Sequence, residues 1–166
     1  MKMELVSLSH AELVKPYFAQ CVADGLELYR GAIADSNAYL SKRIAYGKGL
    51  QLPEGWPPIS LYFCIDSGSI VGAIRLRHGT NEYIEREIGH IGYETLPQAR
   101  GKGVASFMLA WLKEQVVESN AILICDADNA ASQKVIENSG GQYMESYYSA
   151  ESQCEVVSYR LAHSEP

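Results

Sequence analysis

Arg100-Gly101-Lys102-Gly103-Val104-Ala105 follows the proline-ended run His90 to Pro97 and leads straight into the amphipathic segment Val104 to Ser119. A glycine-rich turn at the start of a helix gathers N–H groups that lack an intrahelical partner. It does so at the positive end of the macrodipole, an arrangement suited to phosphate oxygens. Glycine lets those oxygens approach the main chain and permits positive φ, and Lys102 adds charge. The competing reading is an ordinary exposed strand-to-helix loop. Two familiar phosphate loops do not fit. A P-loop needs GxxxxGK followed by Ser or Thr, whereas Gly103 follows Lys102. A dinucleotide fingerprint needs a third glycine where Ser106 stands.

Val104, Phe107, Met108, Trp111, Leu112 and Val116 recur at helical spacing and make the downstream segment a helix with one buried stripe. Ile122 to Cys125 is a continuous apolar run. It reads as a strand buried on both faces and, because a helix connects it, paired parallel with the strand Ile88 to Leu96. Asp128 or Asn129 caps a short helix ended by Gly140, and strands follow near Gln142 to Tyr148 and Cys154 to Leu161. Upstream, Leu61 to Ile65 and Ile70 to Arg77 form a hairpin through Asp66-Ser67-Gly68-Ser69. Residues 3 to 7 read as a strand. Ser9 and Glu12 form a capping-box pattern opening a helix toward Ala23 in which Pro16 would introduce a kink, and a second helix spans Ser36 to Tyr46. Between them and the sheet, the proline-rich stretch Gly47 to Ser60 is a long loop. It is either a wall of a substrate pocket carrying Trp56 or a passive segment with Trp56 tucked onto the core. The order is β-αα-βββ-α-β-α-ββ.

The 166 residues, 47% hydrophobic and 20% charged, suit one domain covering 1–166. No apolar run nears the ~20 residues of a membrane helix and no signal peptide is evident, so a cytoplasmic protein is expected. Cys21, Cys64, Cys125 and Cys154 are scattered and read as core thiols, with no metal cluster. A net charge of −6 argues against a nucleic-acid surface.

Arg100, Gly103 and Ala105 satisfy (Gln or Arg)-x-x-Gly-x-(Gly or Ala), which resembles the acetyl-CoA pyrophosphate loop of the GNAT N-acetyltransferase superfamily. His90-Ile91-Gly92-Tyr93-Glu94-Thr95-Leu96-Pro97 is similar to that family's central strand. Asn129, Ser132 and Gly140-Gly141 resemble its Asn-x-x-(Ser or Ala) helix and glycine ending, so the likeness covers about residues 60 to 162. The resemblance implies an α+β fold: a mixed, mostly antiparallel sheet of six or seven strands flanked by helices, with two central parallel strands splayed to admit the cofactor. It further implies acetyl transfer from acetyl-CoA to a primary amine of a small molecule or peptide in a ternary complex. No metal, nucleic acid or membrane takes part, and a homodimer is often formed.

On that resemblance, Arg100, Gly101, Lys102, Gly103, Val104 and Ala105 hold the pyrophosphate. Backbone groups of Tyr93, Glu94 and Thr95 bind the pantetheine arm and the oxyanion, and Asn129 meets the arm from the next helix. His90 is the leading candidate base, since imidazole titrates nearest neutrality, with Glu94 four residues on. The alternative is His90 as a hydrogen-bonded strand residue and water as proton acceptor. The family's helix tyrosine falls on Ile136, so Tyr147, or else Tyr143 or Tyr148, is the candidate acid. That departure leaves open a non-catalytic CoA-binding module and, further off, a protein that keeps only the fold.

Overall fold

Ile59–Asp66 (β2) and Ser69–Arg77 (β3) form the expected hairpin, with Ser67 and Gly68 both at positive φ in its turn. Lys2–Leu5 (β1) and Ile91–Thr95 (β4) extend it to an antiparallel sheet in the order β1-β2-β3-β4. Ala121–Asp126 (β5), Gln142–Ser149 (β6) and Cys154–Leu161 (β7) make a second antiparallel sheet, β5-β7-β6. The computed structural model describes residues 1–162; residues 163–166 of the expected domain lie outside the described residues.

Strand alternation sorts the first sheet into two faces. Tyr62, Gly72 and Ile74 face Val104–Gln115 (α4), where Tyr62 meets Trp111 edge-on at 5.0 Å and Met108 lies over Gly72. Phe63, Ala73 and Arg75 face Val14–Ala23 (α1), where Phe63 meets Tyr17 at 6.3 Å. Between these layers Phe18, Leu40, Leu61, Phe63, Ile74, Met108, Leu109 and Leu112 are fully buried. A Leu112→Ala change would remove contacts on which α4 depends, at a cost of about 2–5 kcal/mol.

The helices differ from expectation at their ends. Ser7, not Ser9, makes the capping box: its hydroxyl accepts from the Ser9 N–H, and His10 Nδ1 accepts from the Ser7 N–H at 3.0 Å. Pro16 produces no kink because it is the third residue of α1, in the first turn, where no N–H bonds within the helix. A short helix, Arg30–Ala34 (α2), was not foreseen. Asp35 then caps Ser36–Gly47 (α3) by accepting from the Ala38 N–H at 3.0 Å. α4 stops at Gln115 rather than Ser119, and Asn129 rather than Asp128 caps Ala130–Asn138 (α5).

The largest correction concerns the segment before β4. Ile84–Ile88 is a π-helical turn, and the strand begins only at Ile91. β4 and β5 also form no ladder, so the expected parallel pairing is reduced to contact at their starts. β5 is not fully buried on both faces either, since Ala121 and Leu123 are buried while Ile122 and Ile124 are only partly buried. Among the described residues no helix is long and apolar enough to cross a membrane. Among them, too, no three His, Cys, Asp or Glu side chains are placed to hold a metal ion.

Candidate functional site

The start of β4 is pinned to the start of β5. Gly89 makes this possible: it has φ 73°, and a Cβ there would lie 2.8 Å from the Ile122 carbonyl oxygen, so only glycine fits. The His90 N–H then donates to Ile122 O at 2.7 Å, and the Ile122 N–H donates to His90 Nδ1 at 2.9 Å. A ring nitrogen that accepts an N–H carries no proton, so the proton sits on Nε2, which donates to Thr80 Oγ1 at 3.2 Å. Burial lowers the His90 pKa and keeps the ring neutral. His90 thus replaces a main-chain acceptor at the closed end of a wedge. Its lone pair is spent there, which corrects its expected role as the base.

Beyond this point the strands diverge. Arg77 N–H to His90 O and Leu96 N–H to Val71 O show that even-numbered residues of β4 bond to β3. By antiparallel alternation Ile91, Tyr93 and Thr95 direct their main-chain groups into the gap beside β5. The Tyr93 hydroxyl crosses the gap to Ser132 Oγ at 2.7 Å, on the first turn of α5. Asn129 Oδ1 is occupied in capping that helix, accepting from the Ser132 N–H at 3.1 Å.

At the open end of the gap the chain turns through Pro97–Ala99 into the glycine-rich loop. Arg100 pairs with Asp24 at the end of α1, so its side chain anchors the loop. Gly101 has φ 73°, and Gly103, the residue before α4, has φ 80° and ψ 10°. A Cβ on either glycine would meet nothing within 4 Å. Their necessity is therefore conformational, and the space above them is open. The first helical bond comes from the Phe107 N–H to Gly103 O at 2.9 Å, which leaves the N–H groups of Val104, Ala105 and Ser106 without an intrahelical acceptor. No acidic side chain sits in that first turn, and Lys102 is exposed beside it. These residues fit the pyrophosphate of a CoA molecule: unpaired donors, room for oxygens, and no competing carboxylate.

Glu94 lies on the other face of β4 and is held on all sides. Its carboxylate accepts from Tyr17 Oη at 2.8 Å, from Tyr29 Oη, and from Arg75 Nη1 and Nη2 at 2.7 and 3.1 Å. Arg75 also donates to the Tyr29 hydroxyl. The Glu94 and Arg75 side chains are only 14% and 9% exposed. Burial alone would raise the Glu94 pKa, but the charge and hydrogen bonds of Arg75 and those of the two tyrosines outweigh it and hold it low. A carboxylate so stabilised is a poor proton acceptor. A cavity of about 170 Å³ opens beside it, walled by Cys21, Asp24, Leu26, Glu94, Thr95 and Arg100.

Tyr147 stands apart. Its hydroxyl donates to Arg86 O at 2.7 Å, and the Arg86 guanidinium lies 3.9 Å over its ring, so it straps β6 to the π-helical turn. The structure therefore brings the loop Arg100–Ala105 together with Tyr93, Glu94, Thr95 and, through Ser132, Asn129. It leaves His90 at the opposite end of β4 and Tyr147 against the turn before it, so the three expected catalytic side chains do not assemble. Ile136, at the position of the family's helix tyrosine, is buried in the core. Trp56 packs edge-on against Tyr83 at 5.8 Å, and the Gly55 carbonyl accepts from Asn81, which ties the long loop to the turn. Arg75, Tyr17 and Tyr29 escaped the sequence reading. The available signal was a charged residue inside an otherwise apolar strand.

Residues 34–140 match the family described as Acetyltransferase (GNAT) family. No curated protein sequence matches the chain. Among solved structures, it is similar to the ribosomal L7/L12 alpha-N-protein acetyltransferase RimL in complex with coenzyme A, at 14% identity over 98% of this chain and 94% of that one, TM-score 0.70. It is similar as well to the microcin C7 self-immunity acetyltransferase MccE in complex with acetyl-CoA and AMP, at 15% identity over 97% and 92%, TM-score 0.71. A third is the ribosomal-protein-S5-alanine acetyltransferase from Vibrio fischeri, at 15% identity over 99% and 94%, TM-score 0.71.

Proposed function

The chain belongs to the GNAT acetyltransferase family, and on that premise we propose that it transfers an acetyl group from acetyl-CoA to a primary amine of a small molecule or peptide. One observation carries this reading. The gap beside Tyr93 and Thr95 opens toward Gly101, Gly103 and the unpaired N–H groups of α4, so a single extended ligand can meet both. That two of the similar structures hold CoA or acetyl-CoA supports it.

Acetyl-CoA, when bound, supplies an activated thioester whose carbonyl carbon an amine attacks as the CoA thiolate departs. The chain's own contribution is orientation and charge. Val104, Ala105 and Ser106 N–H groups hold the phosphate oxygens, and Tyr93 and Thr95 main-chain groups align the arm. A main-chain N–H aimed into the gap also stabilises negative charge on a carbonyl oxygen placed there. With the His90 lone pair spent and Glu94 ion-paired, the proton of the incoming ammonium leaves to water.

Mixing acetyl-CoA with a panel of amino acids, polyamines, aminoglycosides and peptide N-termini should release one free thiol per acetylated amine. Absence of thiol release with every amine would refute the proposal. A second reading, a CoA-binding module without turnover, is favoured by the full engagement of His90, Glu94 and Tyr147. It requires calorimetric CoA binding with no thiol released.

A further inference from the structure

Among the described residues, three side-chain polar atoms are buried without a hydrogen-bond partner: Tyr39 Oη, Arg43 Nε and Arg77 Nε. They belong to one neighbourhood. Arg43 lies over the Tyr39 ring at 5.1 Å and the Tyr46 ring at 5.3 Å, held between side chains one turn of α3 before it and one turn after it. Arg77 closes β3 on the face shared with Arg75, and Nη1 donates to the Gly89 carbonyl at 3.1 Å. Burial foremost, then the charges of Arg75 and Arg43, lower the Arg77 pKa to about 10, so it remains a cation at neutral pH. Neither Arg43 nor Arg77 forms an ion pair with a carboxylate of the described chain. The buried carboxylate of Glu94, on the same face, is already bound to Arg75.

Arg43 and Arg77 are both partly buried, the Arg43 charge acts on Arg77, and each keeps a buried Nε without an acceptor; donors left so are costly, and an oxyanion would satisfy them. Open space adjoins Arg77. A Cβ on Gly92, which points to this same face of β4, would find only Arg77 Nη1, at 3.9 Å. The floor of that space is thus a guanidinium, and it lies two residues along the strand from Glu94. The pyrophosphate loop is at the far end of β4, so these arginines do not serve the CoA phosphates.

We propose that Arg43 and Arg77, with the Tyr39 hydroxyl, bind an oxyanion of the acceptor, so that the substrate is an amine bearing a carboxylate or phosphate group. This rests on the acetyltransferase reading for the word acceptor, but the anion site itself does not. A planar guanidinium fork suits either oxyanion, and Tyr39 adds a donor that has no other use.

The site is tested first by binding. Inorganic phosphate is titrated calorimetrically, at ionic strength held constant with chloride, into Gly103→Glu, whose loop is closed to phosphate, and into the same variant carrying Arg43→Gln or Arg77→Gln. Saturating the unsubstituted protein with CoA replaces Gly103→Glu should that variant fail to fold. The expected result is binding that each arginine change weakens at least tenfold, with a melting temperature for Arg43→Gln no lower than its parent. Phosphate binding that is absent, or that survives both arginine changes, would overturn the proposal. So would a lower melting temperature for Arg43→Gln with affinity intact, which marks a purely structural arginine. The second arm compares kcat/KM for an amino acid against its carboxamide and for aminoethyl phosphate against aminoethanol. At least tenfold preference for one anionic member, lost in Arg77→Gln, supports the site and identifies the oxyanion; equal rates within both pairs would refute it. If no acceptor turns over, the acetyltransferase reading fails, and the phosphate titration alone decides the anion site.

Discussion

Replacing Glu94 with Gln tests whether this residue is a structural ion or a titrating catalyst. The carboxylate accepts four hydrogen bonds, two from Arg75 and one each from Tyr17 and Tyr29, with about a seventh of its side chain exposed. Gln keeps the shape but offers one acceptor oxygen and turns an NH2 group toward donors, leaving the buried Arg75 charge uncompensated. Breaking one side of a buried pair in this way costs roughly 3–5 kcal/mol. At about 2–4 °C per kcal/mol for a chain of this size, the melting temperature should fall by around 10 °C. The pH dependence has a definite sign. Because the folded state holds the Glu94 pKa below its unfolded value, the unfolded chain binds a proton more readily as the solution is acidified. The contribution is fully present above the ordinary carboxylate pKa of 4.5 and is lost as pH falls through the lower folded value. Urea titrations of wild type and Glu94→Gln between pH 3 and 8 measure both effects. A loss under about 1 kcal/mol at pH 7, or a difference between the two proteins that does not shrink in acid, would refute the account. Arg75→Met combined with Glu94→Gln should recover part of the loss, since the pair is removed as a unit.

Gly103→Ala should cost about 1–2 kcal/mol from its left-handed φ yet retain some CoA affinity, whereas Gly103→Glu should abolish CoA binding; calorimetry that finds the two equivalent would show that the loop does not hold the CoA phosphates. His90→Ala leaves the Ile122 N–H unpaired and should lower stability by about 1–3 kcal/mol without shifting a kinetic pKa. Because burial depresses the His90 pKa, its share of stability is present above the ordinary imidazole value of 6.5 and is lost below it, so the variant should lose less than wild type between pH 7 and 5 in chemical denaturation. Tyr147→Phe removes one bond to Arg86 O and should cost about 0.5–1.5 kcal/mol while kcat stays within twofold; a hundredfold fall in kcat would restore it as the general acid.

What was legible in the chain follows from the range of the interactions involved. The register Arg100, Gly103, Ala105 and the stripe through Met108 and Leu112 are local patterns, and both stand where they were expected. The hairpin at Ser67 and Gly68 is local too. The turn at Ile84–Ile88 was concealed because two isoleucines four apart satisfy a strand as well as a helical turn, and the choice is made by contacts with β5 and β6. Likewise Glu94 and His90 share a parity on paper, but positive φ at Gly89 places His90 ahead of the strand, where its ring accepts from the Ile122 N–H at the start of β5. Arg75 and Glu94 meet only because β3 and β4 pair Arg75 with Gly92 and Ala73 with Glu94, which makes the two charges diagonal neighbours on one face. Such register is invisible until the sheet is assembled.

The two sides of β4 then differ in how they are built. Toward the gap, the strand offers main-chain groups from Tyr93 and Thr95 and a loop whose essential residues are glycines, so few substitutions there remove a donor. Toward α1 and α3 it offers a patterned set of charges, Glu94 with Arg75 and then Arg77 with Arg43, separated by the bare surface of Gly92. A ligand held by backbone is recognised through chain conformation, whereas one held by side chains changes with each residue. Mutational tolerance should therefore split along the strand. Non-glycine changes on the loop should alter CoA affinity mildly, while single changes at Arg43, Arg77 or Gly92 should redirect which amine is accepted and leave CoA affinity as it was. A Gly92→Val change makes the sharpest case. Its branched side chain stands where only Arg77 Nη1 is now within 4 Å, and strand propensity favours valine, so the protein should remain folded and bind CoA while losing acceptance of its amine.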